Sequence, residues 1–299
     1  MFNLKLFKSE MKKVFHNGRF ITVVIIGTVI AVITALYVIN RWDQNLIRTE
    51  KTNSLTHLTG NMKNPSYQMY GAFTNWMGQE ISSATAALFY LLIPIFATLS
   101  YGWSYQSELK SGYIKNVLVK VDKKEYYLTK YLATFLGGGL AVIIPMLINI
   151  MIVFMYLPAI KPDPCYDMNY GVFGGQFASD LFYETPVLYI LLKLVFTFIF
   201  AGLIATSSIA FTFFVNNKFA VVIVPFIVVL TFHYFAMNFL IALVARLGLS
   251  NVLVELSPIL YLHASTNHVN PWVIIIEYLI LFAFSFGVTM HKGIKNDVF

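Results

Sequence analysis

The sequence predicts an all-α membrane protein with six transmembrane helices. Six apolar runs are spaced along the 299-residue chain. Each reaches the about 20 residues that a helix needs to cross about 30 Å of hydrocarbon. Because 58% of the residues are hydrophobic and 12% are charged, we expect one transmembrane domain over 1–299 and no separate soluble domain. The runs cover residues 20–39, 84–104, 131–156, 187–214, 219–243 and 271–290.

Basic residues crowd onto alternate connections between these runs. Cytoplasmic loops are enriched in lysine and arginine, so the pattern predicts a multi-pass protein of the cell membrane with both termini in the cytoplasm. The net charge of +7 then reflects topology and attraction to anionic membrane lipids, and we expect no nucleic-acid partner. The crowded side holds fourteen of the 21 basic residues: Lys5, Lys8, Lys12, Lys13, Arg19, Lys110, Lys115, Lys120, Lys123, Lys124, Lys130, Lys218, Lys292 and Lys295.

The pattern of residues 1–19 predicts an N-terminal amphipathic helix that lies in the membrane interface before the first span. We call it the elbow helix. Phe7, Met11 and Val14 recur at helical spacing, while lysines take the positions between them. A disordered basic leader is the alternative interpretation.

Three connections are predicted on the outer side, over residues 40–83, 157–186 and 244–270. The second holds Cys165, the single cysteine, which can form no intrachain disulfide and whose role the sequence leaves open. The third is apolar for a loop and contains Pro258. We therefore expect a re-entrant segment whose short broken helices cap a path, since irregular backbone at membrane depth needs protein or water around it.

The longest predicted cytoplasmic connection, residues 105–130, shows the most specific pattern. Glu108 follows the second run, and Gly112 permits a sharp change of direction before a short amphipathic helix. Asp122 and Glu125 have the spacing of a capping box, which predicts the start of the helix that becomes the third span.

This connection resembles the permease subunits of ABC transporters of the second exporter type. In that family an acidic residue precedes Ser-Gly-Thr-Ile-Lys-Asn-Leu-Leu, basic residues and Lys-Tyr-Leu. Here the matching segments are Ser111-Gly112-Tyr113-Ile114-Lys115-Asn116-Val117-Leu118 and Lys130-Tyr131-Leu132. Tyr113 replaces the usual threonine. The elbow, the six spans and the apolar loop before the last span are also similar to that family.

The resemblance implies a permease that dimerises with an identical or homologous subunit and binds two cytoplasmic ABC ATPase subunits. ATP and Mg²⁺ would be bound by those partners and no cofactor by this chain, whose sequence contains no phosphate-binding Gly-x-x-x-x-Gly-Lys-Ser/Thr loop. An ordinary basic inner loop is the alternative interpretation of residues 105–130. The coupling residues implied by the resemblance are Glu108, Ser111, Gly112, Ile114, Lys115, Val117 and Leu118.

Four residues are candidates for a translocation path or gate: Lys193, His233, Pro258 and Glu277. Charge inside an apolar run is costly, so Lys193 and Glu277 could pair or line a polar outer gate. Alternatively, Lys193 snorkels outward and Glu277 faces an aqueous vestibule. His233 could contact cargo or be hydrogen-bonded within helix packing. His263 and His268 lack the partners of a metal site, so we expect no bound metal.

No motif predicts an enzyme, because the sequence has no nucleophile elbow, paired-carboxylate spacing or His-Glu-x-x-His motif. The expected function is ATP-driven export of a hydrophobic or amphipathic peptide, for secretion or self-protection. Lipid or small-drug export by an ABC transporter is an alternative. A secondary transporter that uses Lys193, His233 and Glu277 as an ion path is the other.

Overall fold

The computed structural model describes residues 3–55, 71–246, 257–263 and 270–295. These residues are 84% helical and include no strand, and six of their helices are long and apolar enough to cross a membrane. The predicted fold class, an all-α membrane protein, is therefore confirmed. We number the six helices as spans 1 to 6: Gly18–Leu55, Ala84–Lys110, Lys123–Tyr156, Pro186–Thr212, Lys218–Phe235 and Pro271–Lys295.

Span 1 is much longer than its apolar run. The helix continues past residue 39 to Leu55, so the predicted connection 40–83 starts with several more helical turns. These turns contain Arg41 and other polar residues but neither glycine nor proline, and nothing in their composition breaks a helix. The prediction that the helix ends near residue 39 was wrong for this reason. Residues 56–70 of the connection lie outside the described part of the chain.

Span 2 is an α-helix with an irregular turn. The regular helix Ala84–Ala97 contains Pro94 and is followed by a π-helical turn over Thr98–Gly102 and a second α-helix over Ser104–Lys110. Proline removes a main-chain donor from the helix ladder, and such positions commonly distort the helix. The hydroxyl of Thr98 donates to the carbonyl oxygen of Pro94 at 2.8 Å.

Span 3 lies at the centre of the bundle and packs mainly against spans 1 and 4. Small residues allow this close approach: a Cβ added to Gly138 would lie 2.3 Å from Cβ of Ala205 in span 4. A Cβ added to the preceding residue, Gly137, would lie 3.0 Å from Cγ1 of Val14. Val14 belongs to the elbow helix, Leu4–Phe15, which therefore packs on span 3 as well.

The connection between spans 2 and 3 contains the short helix Tyr113–Leu118, which we call the connector helix. Gly112 precedes it with φ of +71°, a left-handed conformation that favours glycine, so the predicted change of direction is confirmed. Span 3 then begins at Lys123 with Asp122 at its N-cap. Asp122 makes no side-chain capping hydrogen bond, and the predicted capping box is not formed.

We call the end of the bundle with the elbow and connector helices the basic end, and the opposite end the loop end. At the loop end, exposed Cys165 lies in a 3-10 turn, Pro164–Tyr166. Of the predicted re-entrant segment 244–270, the structure describes residues up to Arg246 and a helix over Pro258–His263, which we call the cap helix. Residues 247–256 and 264–269, including His268, lie outside the described residues.

Candidate functional site

Four charged side chains meet at the basic end, and we call them the ionic cluster: Glu10, Lys13, Glu108 and Lys130. Lys130 Nζ lies 2.9 Å from Glu10 Oε2 and 2.9 Å from Glu108 Oε1. Lys13 pairs with Oε1 of Glu10 and lies 3.3 Å from Oε1 of Glu108. The side chains of Lys130 and Glu10 are 0% and 2% exposed, so these charges are held inside the protein.

Two tyrosine hydroxyls complete the cluster. Tyr101 donates to Oε2 of Glu10 at 2.9 Å, and Tyr126 donates to Oε2 of Glu108 at 2.7 Å. All four carboxylate oxygens of the cluster therefore accept at least one hydrogen bond, as buried charges require. Because Glu10 lies in the elbow helix, Tyr101 and Glu108 in span 2 and Lys130 in span 3, the cluster joins three elements.

The ammonium groups also set the acid-base behaviour of the elbow helix. Burial alone would raise the pKa of Glu10, but the charges of Lys130 and Lys13 outweigh it and hold that pKa below its ordinary value. Burial likewise acts to lower the pKa of Lys13, and its hydrogen bond and ion pair with Glu10 raise the pKa above its ordinary value. Glu10 and Lys13 are therefore both charged in the cluster near neutral pH.

The coupling residues implied by the resemblance fall into two groups. Glu108 is only 13% exposed and is bound within the ionic cluster, and Ser111 Oγ donates to the carbonyl oxygen of Glu108 at 3.1 Å. Ile114 is buried, and the partly buried Val117 and Leu118 pack beside it in one apolar cluster. The other buried members of this cluster are Tyr105, Tyr126, Tyr127 and Ile209. The connector helix and the residues that flank it thus present a mainly polar face to their surroundings. The exposed residues of this face are Ser111, Tyr113, Lys115, Asn116, Val119 and Lys120.

Sequence reasoning missed the ionic cluster, although one signal was present. Glu10 is the only acidic residue among residues 1–19, and it lies three positions after Phe7 and four before Val14, on the apolar face of the helix. A carboxylate on that face needs a buried partner. Lys130 served in the sequence as a topology signal and as part of the matching segment Lys130-Tyr131-Leu132. Its 120-residue separation from Glu10 gave no local sign of the pair.

At the loop end, Tyr261 of the cap helix joins two charged residues from different spans. Nζ of Lys193, in span 4, donates to the main-chain oxygen of Tyr261 at 2.8 Å. The hydroxyl of Tyr261 donates to Oε2 of Glu277, in span 6, at 3.0 Å. Within the described part of the chain, no direct ion pair joins Lys193 to Glu277. The two charges therefore meet through Tyr261.

Other bonds hold the two ends of the cap helix. His233 Nδ1, in span 5, lies 2.6 Å from Oγ of Ser257, the residue just before Pro258. His263 Nε2 lies 2.9 Å from the main-chain oxygen of Glu80, and its ring stacks on Tyr90 with 4.8 Å between centroids. Burial lowers the pKa of His263, so its neutral form is favoured in this position.

The structure thus brings the four predicted path residues to one place. Pro258 is the first residue of the cap helix and is buried, while Lys193, His233 and Glu277 approach that helix from spans 4, 5 and 6. Sequence reasoning missed Tyr261, whose backbone and hydroxyl make the connection. No cluster of three or more metal-ligating side chains is found among residues 3–55, 71–246, 257–263 and 270–295.

A polar cavity of about 330 Å³ also opens at the loop end. Arg41 lies in its wall and is held by both carboxylate oxygens of Glu80, with Asn75 Oδ1 as a further acceptor at 2.6 Å. Exposed Arg48 lies on the same wall about two helical turns later, and its free positive charge attracts anions. Because Arg41 is already neutralised, this cavity gives a weaker functional indication than the cap helix.

Comparisons with known proteins leave the family open. No family model, curated protein or solved structure matches the chain.

Proposed function

We propose that the chain is the transmembrane permease subunit of an ATP-driven ABC exporter in the cell membrane. The observation that carries this proposal is the connector helix: a short helix set off by left-handed Gly112 at the basic end, with its apolar side anchored and its polar side outward. A rigid, outward-facing helix between two spans suits the docking of a soluble partner. With that partner in the cytoplasm, both termini are cytoplasmic, as the basic residues predict.

The ionic cluster supplies the mechanical link. Two cytoplasmic ATPase subunits, which bind ATP and Mg²⁺, would dock on the connector helices of two permease subunits. When they close, force on Lys115 and Asn116 would pass through Ile114 and Glu108 to span 3 and the elbow helix. Spans 2 and 3 would then move together and open a path for a hydrophobic or amphipathic peptide.

A crosslinking experiment tests the docking surface. In a Cys165→Ser background, Asn116→Cys should react through a short bifunctional reagent with the ABC ATPase that is co-expressed with this chain and co-purifies with it. Lys295→Cys is the matched control, because it is also exposed at the basic end but lies at the end of span 6. Equal crosslinking at both positions, or none at Asn116, would contradict the proposal.

Function is tested by transport-coupled ATP hydrolysis. Lys115→Glu should reduce hydrolysis by the reconstituted complex several-fold while leaving folding intact, because Lys115 is exposed and forms no described ion pair. Lys124→Glu makes the same change on an exposed lysine outside the connector helix. If Lys115→Glu behaves like Lys124→Glu, the connector helix does not couple the two subunits.

Orientation can be measured with the single cysteine. Cys165 is exposed at the loop end, so a membrane-impermeant thiol reagent should label it from outside intact cells. Labelling only after the membrane is opened would reverse the orientation and remove the connector helix from the cytoplasm.

A secondary transporter is the second candidate, favoured by the convergence of Lys193, His233 and Glu277 on the cap helix. Such intramembrane ionisable groups commonly form ion paths. Proteoliposomes that contain only this chain distinguish the two: uptake driven by a proton gradient without ATP supports this candidate, and uptake that needs the ATPase supports the exporter.

A further inference from the structure

A second cavity, of about 340 Å³, lies at the basic end between the elbow helix and span 2. Lys13 belongs to the wall on the side of the elbow helix, and Trp103, Ser104 and Ser107 belong to the wall on the side of span 2. This wall combines an ammonium group, an aromatic ring and hydroxyl groups, so it can contact a polar ligand.

Two further cations adjoin this wall from other spans. The guanidinium of Arg19, in span 1, lies over the ring of Trp103 with 3.7 Å between Cζ and the ring centroid. Nζ of Lys218, in span 5, donates to Oγ of Ser107 at 3.3 Å. Neither cation forms an ion pair within the described part of the chain. The cavity therefore lies between two positive charges that no carboxylate balances.

The carboxylate of Glu108 also belongs to the wall, but it does not cancel these charges. In the ionic cluster Lys13 and Lys130 already balance Glu10 and Glu108. The hydroxyl of Ser104, a residue that is 5% exposed, has no hydrogen-bond partner among the described residues. Because buried polar groups nearly always have a partner, this hydroxyl indicates a place for a ligand oxygen. The wall thus favours an anion with several acceptor oxygens, such as a phosphate group.

The depth of the cavity indicates where the phosphate comes from. Arg19 directly precedes the first apolar run of the sequence, and Trp103 and Ser104 end the second run. In a bilayer these positions lie at the boundary between hydrocarbon and water, where tryptophan is enriched and lipid phosphates are found. Basic groups at this level attract anionic lipids. We infer that this cavity binds the phosphate group of an anionic membrane lipid.

This inference goes beyond the proposed function, because a lipid can bind to this chain without an ATPase. The two are tested separately: lipid binding needs no ATP, and crosslinking at Asn116 needs no anionic lipid. The probe is dioctanoyl phosphatidylglycerol, a soluble anionic lipid. Dioctanoyl phosphatidylcholine carries the same phosphate with a balancing cation, and inorganic phosphate has no acyl chain.

The full chain in an uncharged detergent should show a saturable rise in its thermal unfolding midpoint with phosphatidylglycerol, since a ligand of the folded state stabilises it. The rise should be clearly smaller with phosphatidylcholine or inorganic phosphate. Arg19→Gln combined with Lys218→Gln should weaken phosphatidylglycerol binding about tenfold or more. The matched control, Lys8→Gln with Lys124→Gln, removes equal charge from exposed lysines outside the cavity wall. Ser107→Phe keeps both cations but fills the cavity, and it should also abolish binding.

The inference is overturned by no saturable response to phosphatidylglycerol, by an equal response to phosphatidylcholine, or by equal affinity in the wild type and the Arg19 and Lys218 double variant. An equal loss in the control double variant would assign binding to the whole basic surface instead of the cavity. An equal response to inorganic phosphate would overturn the lipid as its source. Size-exclusion profiles identify any variant that fails to fold. If the Arg19 and Lys218 double variant does not fold, Ser107→Phe decides the result, because unchanged binding in that variant would place the lipid elsewhere.

Discussion

The ionic cluster and the cap helix accommodate buried lysine and glutamate side chains in two different ways. In the ionic cluster, Lys130 contacts two carboxylates directly, each at 2.9 Å. At the cap helix, the carbonyl and hydroxyl groups of Tyr261 stand between Lys193 and Glu277. Both arrangements give the buried ionisable groups hydrogen-bond partners. Only in the ionic cluster do opposite charges attract each other directly and hold the helices together. The first is suited to a permanent joint, and the second can release its charges when one helix moves.

The largest effect should come from removing the fully buried cation of the joint. Lys130→Met leaves Glu10 and Glu108 with Lys13 as their remaining cation in the cluster, and the Lys13 side chain is 34% exposed. Breaking a buried ion pair by removing one partner destabilises a protein by about 3–5 kcal/mol. Denaturant unfolding of the purified protein measures this loss in the free energy of unfolding. The control Lys124→Met, on an exposed lysine of the same helix, should change stability by less than about 0.5 kcal/mol. Similar losses in both variants would mean that the cluster contributes no special stability.

Two double-mutant cycles compare the sites directly. Coupling between Glu108→Gln and Lys130→Met should lie toward the upper end of the about 0.5–3 kcal/mol seen for residues in contact. Coupling between Lys193→Met and Glu277→Gln should lie near the lower end, since in the described part of the chain the two side chains meet through Tyr261 and not directly. Unfolding free energies of the singles and doubles give both values. Stronger coupling at the cap helix would reverse the comparison.

A smaller effect should follow from removing one hydroxyl at the cap helix. Tyr261→Phe deletes the donor to Glu277 and leaves the main-chain bond to Lys193 in place, so we expect a loss of about 1.5 kcal/mol. Tyr90→Phe is the control: the Tyr90 hydroxyl is buried and has no hydrogen-bond partner among the described residues, so its removal should cost nothing. If both variants lose equal stability, the bond to Glu277 has no net value.

Acid should weaken the ionic cluster gradually. The pKa of Glu10 is lower in the folded protein than its ordinary value of 4.5, so its stabilising contribution is complete above about pH 4.5. That contribution is lost as the pH falls through the folded-state pKa. The stability difference between the wild type and Glu10→Gln should therefore shrink as the pH falls from about 4.5 to about 3. A constant difference across this range would show that the charge of Glu10 is not what stabilises the cluster.

Local sequence signals predicted which segments are helices better than they predicted where those helices end. Helical spacing found the elbow helix, and Gly112 marked the turn before the connector helix because φ of +71° is accessible to glycine. Hydropathy placed all six spans, but it ended span 1 where the apolar residues end. A helix stops at a breaker or a cap rather than at a change of polarity, so residues 40–55 continue it.

The sites were predicted less completely because their partners are distant in sequence. Lys193 and Glu277 were identified as costly intramembrane charges, and the structure brings them together. Tyr261, which joins them, is 68 residues from Lys193 and resembles any interfacial tyrosine. Glu10 was overlooked because the basic pattern around it dominates, although its place on the apolar face distinguishes it.

The pairing of Glu10 with Lys130 also dictates an order of assembly during synthesis. The two residues are 120 positions apart, so a ribosome adding about 5–20 residues per second makes the lysine between about 6 and 24 s after the glutamate. During that interval span 1 can enter the bilayer. The carboxylate of Glu10 cannot yet pair with Lys130, so it must stay hydrated. The elbow helix therefore packs into its final position only after the third span has emerged, although it is translated before all six spans.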